Sequence, residues 1–160
     1  MSQKLRRVGV AIPAMVAVAA LVLGVINRYC PPEGPSERPI RQAIAAEAAA
    51  AKEGDVDKAV SLYAPGAVVR DAGAGATWSG LPEIRRRYSD LPKFNKLDHV
   101  DVTVTFDEHG EFARAVASTA GVIVNEDGST SPVSSVDAER WSFEKIEGRW
   151  KVVSFTYDAR

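Results

Sequence analysis

The chain is poor in the residues that build most recognisable sites. One cysteine in 160 residues excludes a disulfide-stapled scaffold and any cysteine-cluster metal site. Two histidines, His99 and His109, are too few for a histidine-rich metal centre. Each lacks a partner at ligand spacing, so no metal is expected. There is no basic surplus: 20 Lys and Arg stand against 21 Asp and Glu. Nucleic acid is therefore not an expected partner, since phosphate binding needs excess positive charge. The sequence has no nucleophile elbow, no P-loop and no glycine-rich dinucleotide fingerprint, and no cofactor is expected.

What is present begins with a greasy N-terminus. Val8 to Ile26 carries no charged residue. At about 1.5 Å per helical residue it nearly crosses a hydrocarbon layer of about 30 Å. A soluble core helix would interleave polar residues on its wet face. Two readings stay open here, a retained anchor and a cleaved signal peptide. The length of the run and the absence of a polar small-residue cleavage region favour the anchor. Lys4, Arg6 and Arg7 lie before the run, so the positive flank is expected on the cytoplasmic side and the bulk of the chain outside. Cys30 follows Asn27, Arg28 and Tyr29, which suit a lipidation site badly. It reads as a juxtamembrane thiol, open to acylation or to pairing between chains.

The expected organisation is a basic tail (1–7), a transmembrane anchor (8–27), a Pro-rich linker (28–39) and a folded domain (40–160). Pro31, Pro32, Pro35 and Pro39 keep the linker extended and semi-rigid. From Arg28 onward the chain holds 17 basic and 21 acidic residues, so the outer part is net acidic.

Within the domain, Ile40 to Glu53 is an Ala-rich helix stopped by Gly54. Asp55 caps a second helix, Val56 to Tyr63, with Val56, Ala59, Val60 and Tyr63 on one face and Pro65-Gly66 ending it. A short strand (67–71), a Gly-containing loop (72–76) and a third helix, Leu81 to Ser89, follow. The period then changes to two. Val100, Val102, Val104 and Phe106 alternate with polar residues, and three more strands span Phe112 to Val124, Val133 to Ile146 and Trp150 to Tyr157. Helices first and a meander afterwards imply an α+β fold, a curved antiparallel sheet covered by three helices.

The run from Gly54-Asp55 through Tyr63-Ala64-Pro65 to Val68-Val69-Arg70-Asp71 resembles the nuclear transport factor 2-like superfamily. It is most similar to the branch of SnoaL-like cyclases and ketosteroid-isomerase-like proteins. Trp78-Ser79-Gly80-Leu81-Pro82-Glu83-Ile84 resembles that family's lead-in to the third helix, and Gly148-Arg149-Trp150-Lys151-Val152 its closing strand. The resemblance covers about residues 40–157. It implies a cone-shaped domain with a pocket between sheet and helices, and dimerisation through the outer face. Members include isomerases, cyclases, dehydratases and non-catalytic proteins. The ketosteroid-isomerase pattern calls for a tyrosine on the first helix, where Ala43 to Ala51 offers none.

Asp71, at the end of a strand, is a candidate base or a turn-forming Asp. Asp137 and Glu139 share strand parity with Trp141 and Phe143, either at the pocket rim or on the open face. Arg114 is a candidate anion ligand or an exposed cation. Tyr63, Trp78, Ile84, Tyr88, Phe94, Arg114, Trp141 and Phe143 are the expected pocket residues, with plain core packing the alternative for the aromatics.

Three functions remain open on the sequence. One is a membrane-anchored extracytoplasmic binding or interaction module without catalysis, its partner a homodimer mate, an envelope protein or a small apolar ligand. Another is an isomerase, cyclase or dehydratase using a pocket carboxylate as general base. The third is a dimeric spacer joined through Cys30.

Overall fold

The computed structural model describes residues 35–158; the side chains of Val136 and Asp137 lie outside this description. The basic tail, the apolar run, Cys30 and most of the linker also lie outside it. Among the described residues no helix is long and apolar enough to cross a membrane.

The first helix, α1, spans Arg38–Glu53 and places Pro39 in its first turn, where no intrahelical donor is lost. Gly54 ends it at φ 69°, a left-handed conformation that costs glycine little. Ile40, Ile44, Glu47, Ala48 and Ala51 recur at helical spacing, and all are buried. The stripe is apolar except for Glu47. Helix α2, Val56–Ser61, is capped by the Asp55 carboxylate, which accepts from the Lys58 N–H at 2.9 Å.

Tyr63 opens strand β1, Tyr63–Asp71, and does not close the preceding helix. The sheet decides this. Leu62 C=O accepts from Val152 N–H at 2.9 Å, and Tyr63 pairs with Val152. The register is irregular between Tyr63 and Val68, which accommodates Pro65 and its missing donor. Ala76–Ser79 forms a short strand, β2, in place of part of the expected loop and helix approach. Helix α3, Gly80–Ser89, buries Ile84, Arg87 and Tyr88. Four long strands follow: β3 (Lys93–Phe106), β4 (Phe112–Val124), β5 (Thr130–Ile146) and β6 (Arg149–Tyr157).

One six-stranded sheet results, in the order β2-β1-β6-β5-β4-β3. Among the described strands only β1 and β6 pair in parallel. Bulges interrupt β3 at Phe94/Lys96 and Val100/Thr103, and the β4–β5 ladder at Ala117/Thr119. Asp101 takes φ 54° within the second of these. Such irregularities bend strands and raise their twist, which curves the sheet around the helices. The core lies on the covered side. Ala113, Ala115 and Ala117 of β4 are buried there, as are Trp141 and Phe143 of β5 and Val152 and Phe155 of β6. The small β4 residues leave room for the large ones beside them.

Candidate functional site

Registration places three polar side chains side by side. His99 on β3 pairs across the ladder with Thr119 on β4. Beyond the bulge at Ala117/Thr119, the Thr119 hydroxyl donates to Glu139 Oε1 on β5. Glu139 alternates with Trp141 and Phe143, so strand parity turns it inward with them. Opposite, α1 lowers Glu47 onto the same point. Glu47 Oε2 lies 2.8 Å from His99 Nε2, and Glu139 Oε2 lies 2.6 Å from His99 Nδ1. The imidazole thus stands between two carboxylates, with all three side chains almost fully buried.

The two contacts differ in kind. That with Glu47 is an aligned hydrogen bond. That with Glu139 is close but off the line of the ring N–H, and neither His99 Nδ1 nor Glu139 Oε2 makes an aligned hydrogen bond. Glu47 Oε1 accepts from the Tyr88 hydroxyl, which lies 2.8 Å from the Tyr63 hydroxyl. Trp141 stands edge-on to His99, ring centroids 5.5 Å apart, and stacks on Phe155 at 3.6 Å.

This packing sets the charge states. Burial alone would depress His99, but Glu139 and Glu47 overcome it and hold the ring near pKa 10, so it is an imidazolium at neutral pH. Burial would raise Glu47; His99 and Arg87 outweigh it and hold the carboxyl below its ordinary range. Tyr88 and Tyr63 are pushed up, by burial first and by the Glu47 charge second, and stay neutral.

A cavity of about 230 Å³ opens against this cluster. Glu47, His99, Thr119 and Glu139 line it, together with Arg87, Tyr157 and Phe155. Its remaining wall is largely apolar, from Leu91, Pro92, Phe94, Leu97, Ile123 and Val133. This is below the roughly 300–1,000 Å³ of sites for drug-sized ligands, so it suits a smaller molecule. Among the described residues no group of three His, Cys, Asp or Glu is arranged to hold a metal ion.

The residues expected from sequence fall in several places. Phe94 lines the cavity. Asp71 lines it too, while its carboxylate accepts the Ala74 N–H at 2.9 Å in a turn. Tyr63 and Tyr88 stand behind the wall in the polar chain. Ile84, Trp141 and Phe143 are core residues, and Trp78 packs against the Arg87 guanidinium. Arg114 is exposed on the other parity of β4 and borders a separate concavity with Phe106 and Phe112. The Asp137 side chain lies outside the described residues.

Sequence reasoning passed over Glu47, His99 and Arg87. The signal for two of them was polarity inside an apolar stripe: Glu47 between Ile44 and Ala48, Arg87 between Ile84 and Tyr88. His99 gave no local signal, because its partners lie 52 and 40 positions away along the chain.

A curved sheet wrapped on three helices, with a polar cluster in the wall of an apolar cavity, defines an α+β domain of cystatin-like architecture. The family model of the SnoaL-like domain matches residues 33–156, and the chain belongs to that family. Similar solved structures include a ketosteroid isomerase-like protein from Erwinia carotovora atroseptica, at 18% identity and TM-score 0.66, covering 79% of this chain and 98% of that one. A protein with a cystatin-like fold from Caulobacter vibrioides matches at 16% identity and TM-score 0.65, covering 79% and 91%. An NTF2-like protein from Novosphingobium aromaticivorans matches at 17% identity and TM-score 0.59, covering 93% and 92%. At these identities the likeness is one of fold. No curated protein matches the sequence.

Proposed function

We propose that the domain is a small-molecule acid–base enzyme, moving a proton within a ligand held in the cavity, as in an isomerisation or an elimination. The carrying observation is the contact of His99 Nδ1 with Glu139 Oε2, 2.6 Å apart and buried, in which neither atom has an aligned hydrogen bond. Buried polar atoms without such partners are uncommon and costly. A ligand that parts this pair, supplying one donor and one acceptor in its place, would satisfy both.

The chemistry follows from the positions. The Glu139 carboxylate takes a proton from a carbon next to a carbonyl, and the Thr119 hydroxyl fixes its other oxygen. The C–H electron pair moves toward the carbonyl, whose oxygen becomes an enolate and accepts the His99 Nδ1–H. Glu47 steadies the imidazolium through Nε2, and Tyr88 steadies Glu47. Returning that proton from Glu139 to another carbon gives isomerisation; passing it to a β-hydroxyl, whose C–O bond breaks as the enolate re-forms the carbonyl and a C=C bond, releases water and gives elimination. General acid–base groups of this kind contribute roughly 10²–10⁴-fold each.

The test is deuterium exchange at carbon, followed by NMR, on β,γ-unsaturated and β-hydroxy carbonyl compounds. Glu139→Gln and His99→Gln should each lower exchange by about 10²-fold or more. Exchange that survives both, or no exchange by the wild type on any compound, overturns the mechanism. One observation favours a second reading, a non-catalytic binding module: both nitrogens of His99 already contact protein carboxylates. That reading requires saturable ligand binding without exchange.

We propose in addition that the apolar run at 8–27 tethers the domain to a membrane, with the domain outside. This rests on the uncharged run and on Lys4, Arg6 and Arg7 before it. Protease added to intact cells should remove the domain; protection while the membrane stays sealed counts against that topology.

A further inference from the structure

The acid–base cluster uses one of the two cations in the cavity wall. The other, Arg87, lends its charge to Glu47 but makes no hydrogen bond within the cluster. Arg87 lies on the buried face of α3 between Ile84 and Tyr88, and is 7% exposed. Its Nε donates to the Tyr157 hydroxyl at 3.3 Å. Its guanidinium carbon sits 4.6 Å from the Tyr88 ring centroid, 4.8 Å from Tyr157, 5.7 Å from Trp78 and 5.8 Å from Phe155. None of the ion pairs among the described residues involves it. Nη1 is buried without a hydrogen-bond partner.

Aromatic faces stabilise a cation without accepting its N–H bonds. A guanidinium carries five donors in a fixed fork, and burial makes each unused donor expensive. A cation retained there with an idle donor, in a wall of a ligand-sized cavity, lacks an acceptor. The acidic groups bordering the cavity do not fill that need through Nη1. Glu47 is held by Tyr88 and His99, Glu139 by Thr119 and His99, and Asp71 by the Ala74 N–H. Asp158 also borders the cavity and has an interaction of its own.

We propose that Arg87 is a carboxylate-binding residue, and that the cavity takes a small organic acid: an apolar body with one carboxylate, seated on the guanidinium. The proposal rests on the cavity being the ligand site and gives that ligand its class. Phe155 ties the two cations to one surface, because its ring lies 6.4 Å from His99 and 5.8 Å from the Arg87 guanidinium carbon. An acid anchored at Arg87 would lay its body along that ring and the apolar wall, toward the His99–Glu139 pair. Arg and carboxylate match in a bidentate geometry that lysine cannot reproduce.

The probes are benzoate and cyclohexanecarboxylate, each paired with its neutral alcohol, benzyl alcohol and cyclohexylmethanol. Each is titrated by NMR into the full-length protein. The wild type should bind each acid about tenfold more tightly than its alcohol. Arg87→Met should remove that preference, the acid losing more affinity than its alcohol. Arg87→Lys, which keeps the charge without the fork, should retain only part of the preference; it also serves should Arg87→Met fail to fold. Equal binding of acid and alcohol by the wild type overturns the proposal. So does an absence of saturable binding by either acid, or a preference undiminished in both variants. Loss of exchange in Glu139→Gln without any carboxylate preference sinks this proposal and leaves the acid–base reading standing. Carboxylate preference with exchange indifferent to Glu139→Gln does the reverse.

Discussion

The Tyr88 hydroxyl donates to Glu47 and meets Tyr63, so its removal strands two buried oxygens at once. Tyr88→Phe should therefore cost more than an ordinary lost hydrogen bond, about 1–3 kcal/mol, read as a lower urea midpoint with an unchanged slope. Tyr63→Phe removes only the outer end of the chain and should cost less, about 0.5–1.5 kcal/mol. Equal costs would mean that Glu47 does not depend on Tyr88. The same residues show what a sequence can disclose. A polar residue at a helical position that ought to be apolar, as at Glu47 and Arg87, is visible from spacing alone. What it pairs with is not visible, because His99 and Glu139 arrive from strands far along the chain and only the folded register joins them. Glu139 was half legible: its parity with Trp141 and Phe143 could be read, but not whether that face was covered.

At the scale of elements, the period-two pattern located the strands and the Ala-rich composition located α1. Their ends were set by contacts the local sequence does not carry. Tyr63 has the spacing of a helix face, yet pairing with Val152 draws it into β1. Lys93 to His99 carries scattered polar residues that hide a strand, and two bulges in β3 break the alternation a reader would look for. Gly121 shows how closely β3 and β4 approach on this stretch. A Cβ there would lie 2.9 Å from the Lys96 carbonyl oxygen and 3.3 Å from Leu97 Cδ1. The first of these is backbone and cannot swing away. Gly121→Ala should destabilise the fold by about 1–3 kcal/mol, the usual cost of forced overpacking. Because Leu97 and Ile123 line the cavity, it should also weaken ligand binding. A variant with wild-type stability and wild-type affinity would show that the strands can separate freely here.

For the molecule as a whole, the buried charges make stability depend on pH in a way that can be signed. His99 is raised in the fold from an ordinary 6.5 to about 10, burial opposing and the carboxylates of Glu139 and Glu47 prevailing. Its contribution is fully present below about 6.5 and is lost as pH rises toward 10. Glu47 is lowered from an ordinary 4.5, so its contribution is present above that value and is lost as pH falls through the depressed one. Both are complete only between about 4.5 and 6.5, which places the optimum on the mildly acid side. Above pH 10 the raised Tyr63 and Tyr88 add to the decline, because the unfolded chain ionises them first. Among the described residues the titratable groups facing His99 are Glu47 and Glu139, with Tyr88 and Arg87 behind Glu47. Urea midpoints taken across that interval should fall steadily for the wild type. His99→Gln should start lower and lose the part of the fall that the imidazolium causes, so its midpoint should change less across the same interval. A wild-type midpoint that is constant from 6.5 to 10 would mean that the imidazole is not held charged between its two carboxylates, and the acid role of Nδ1 would go with it.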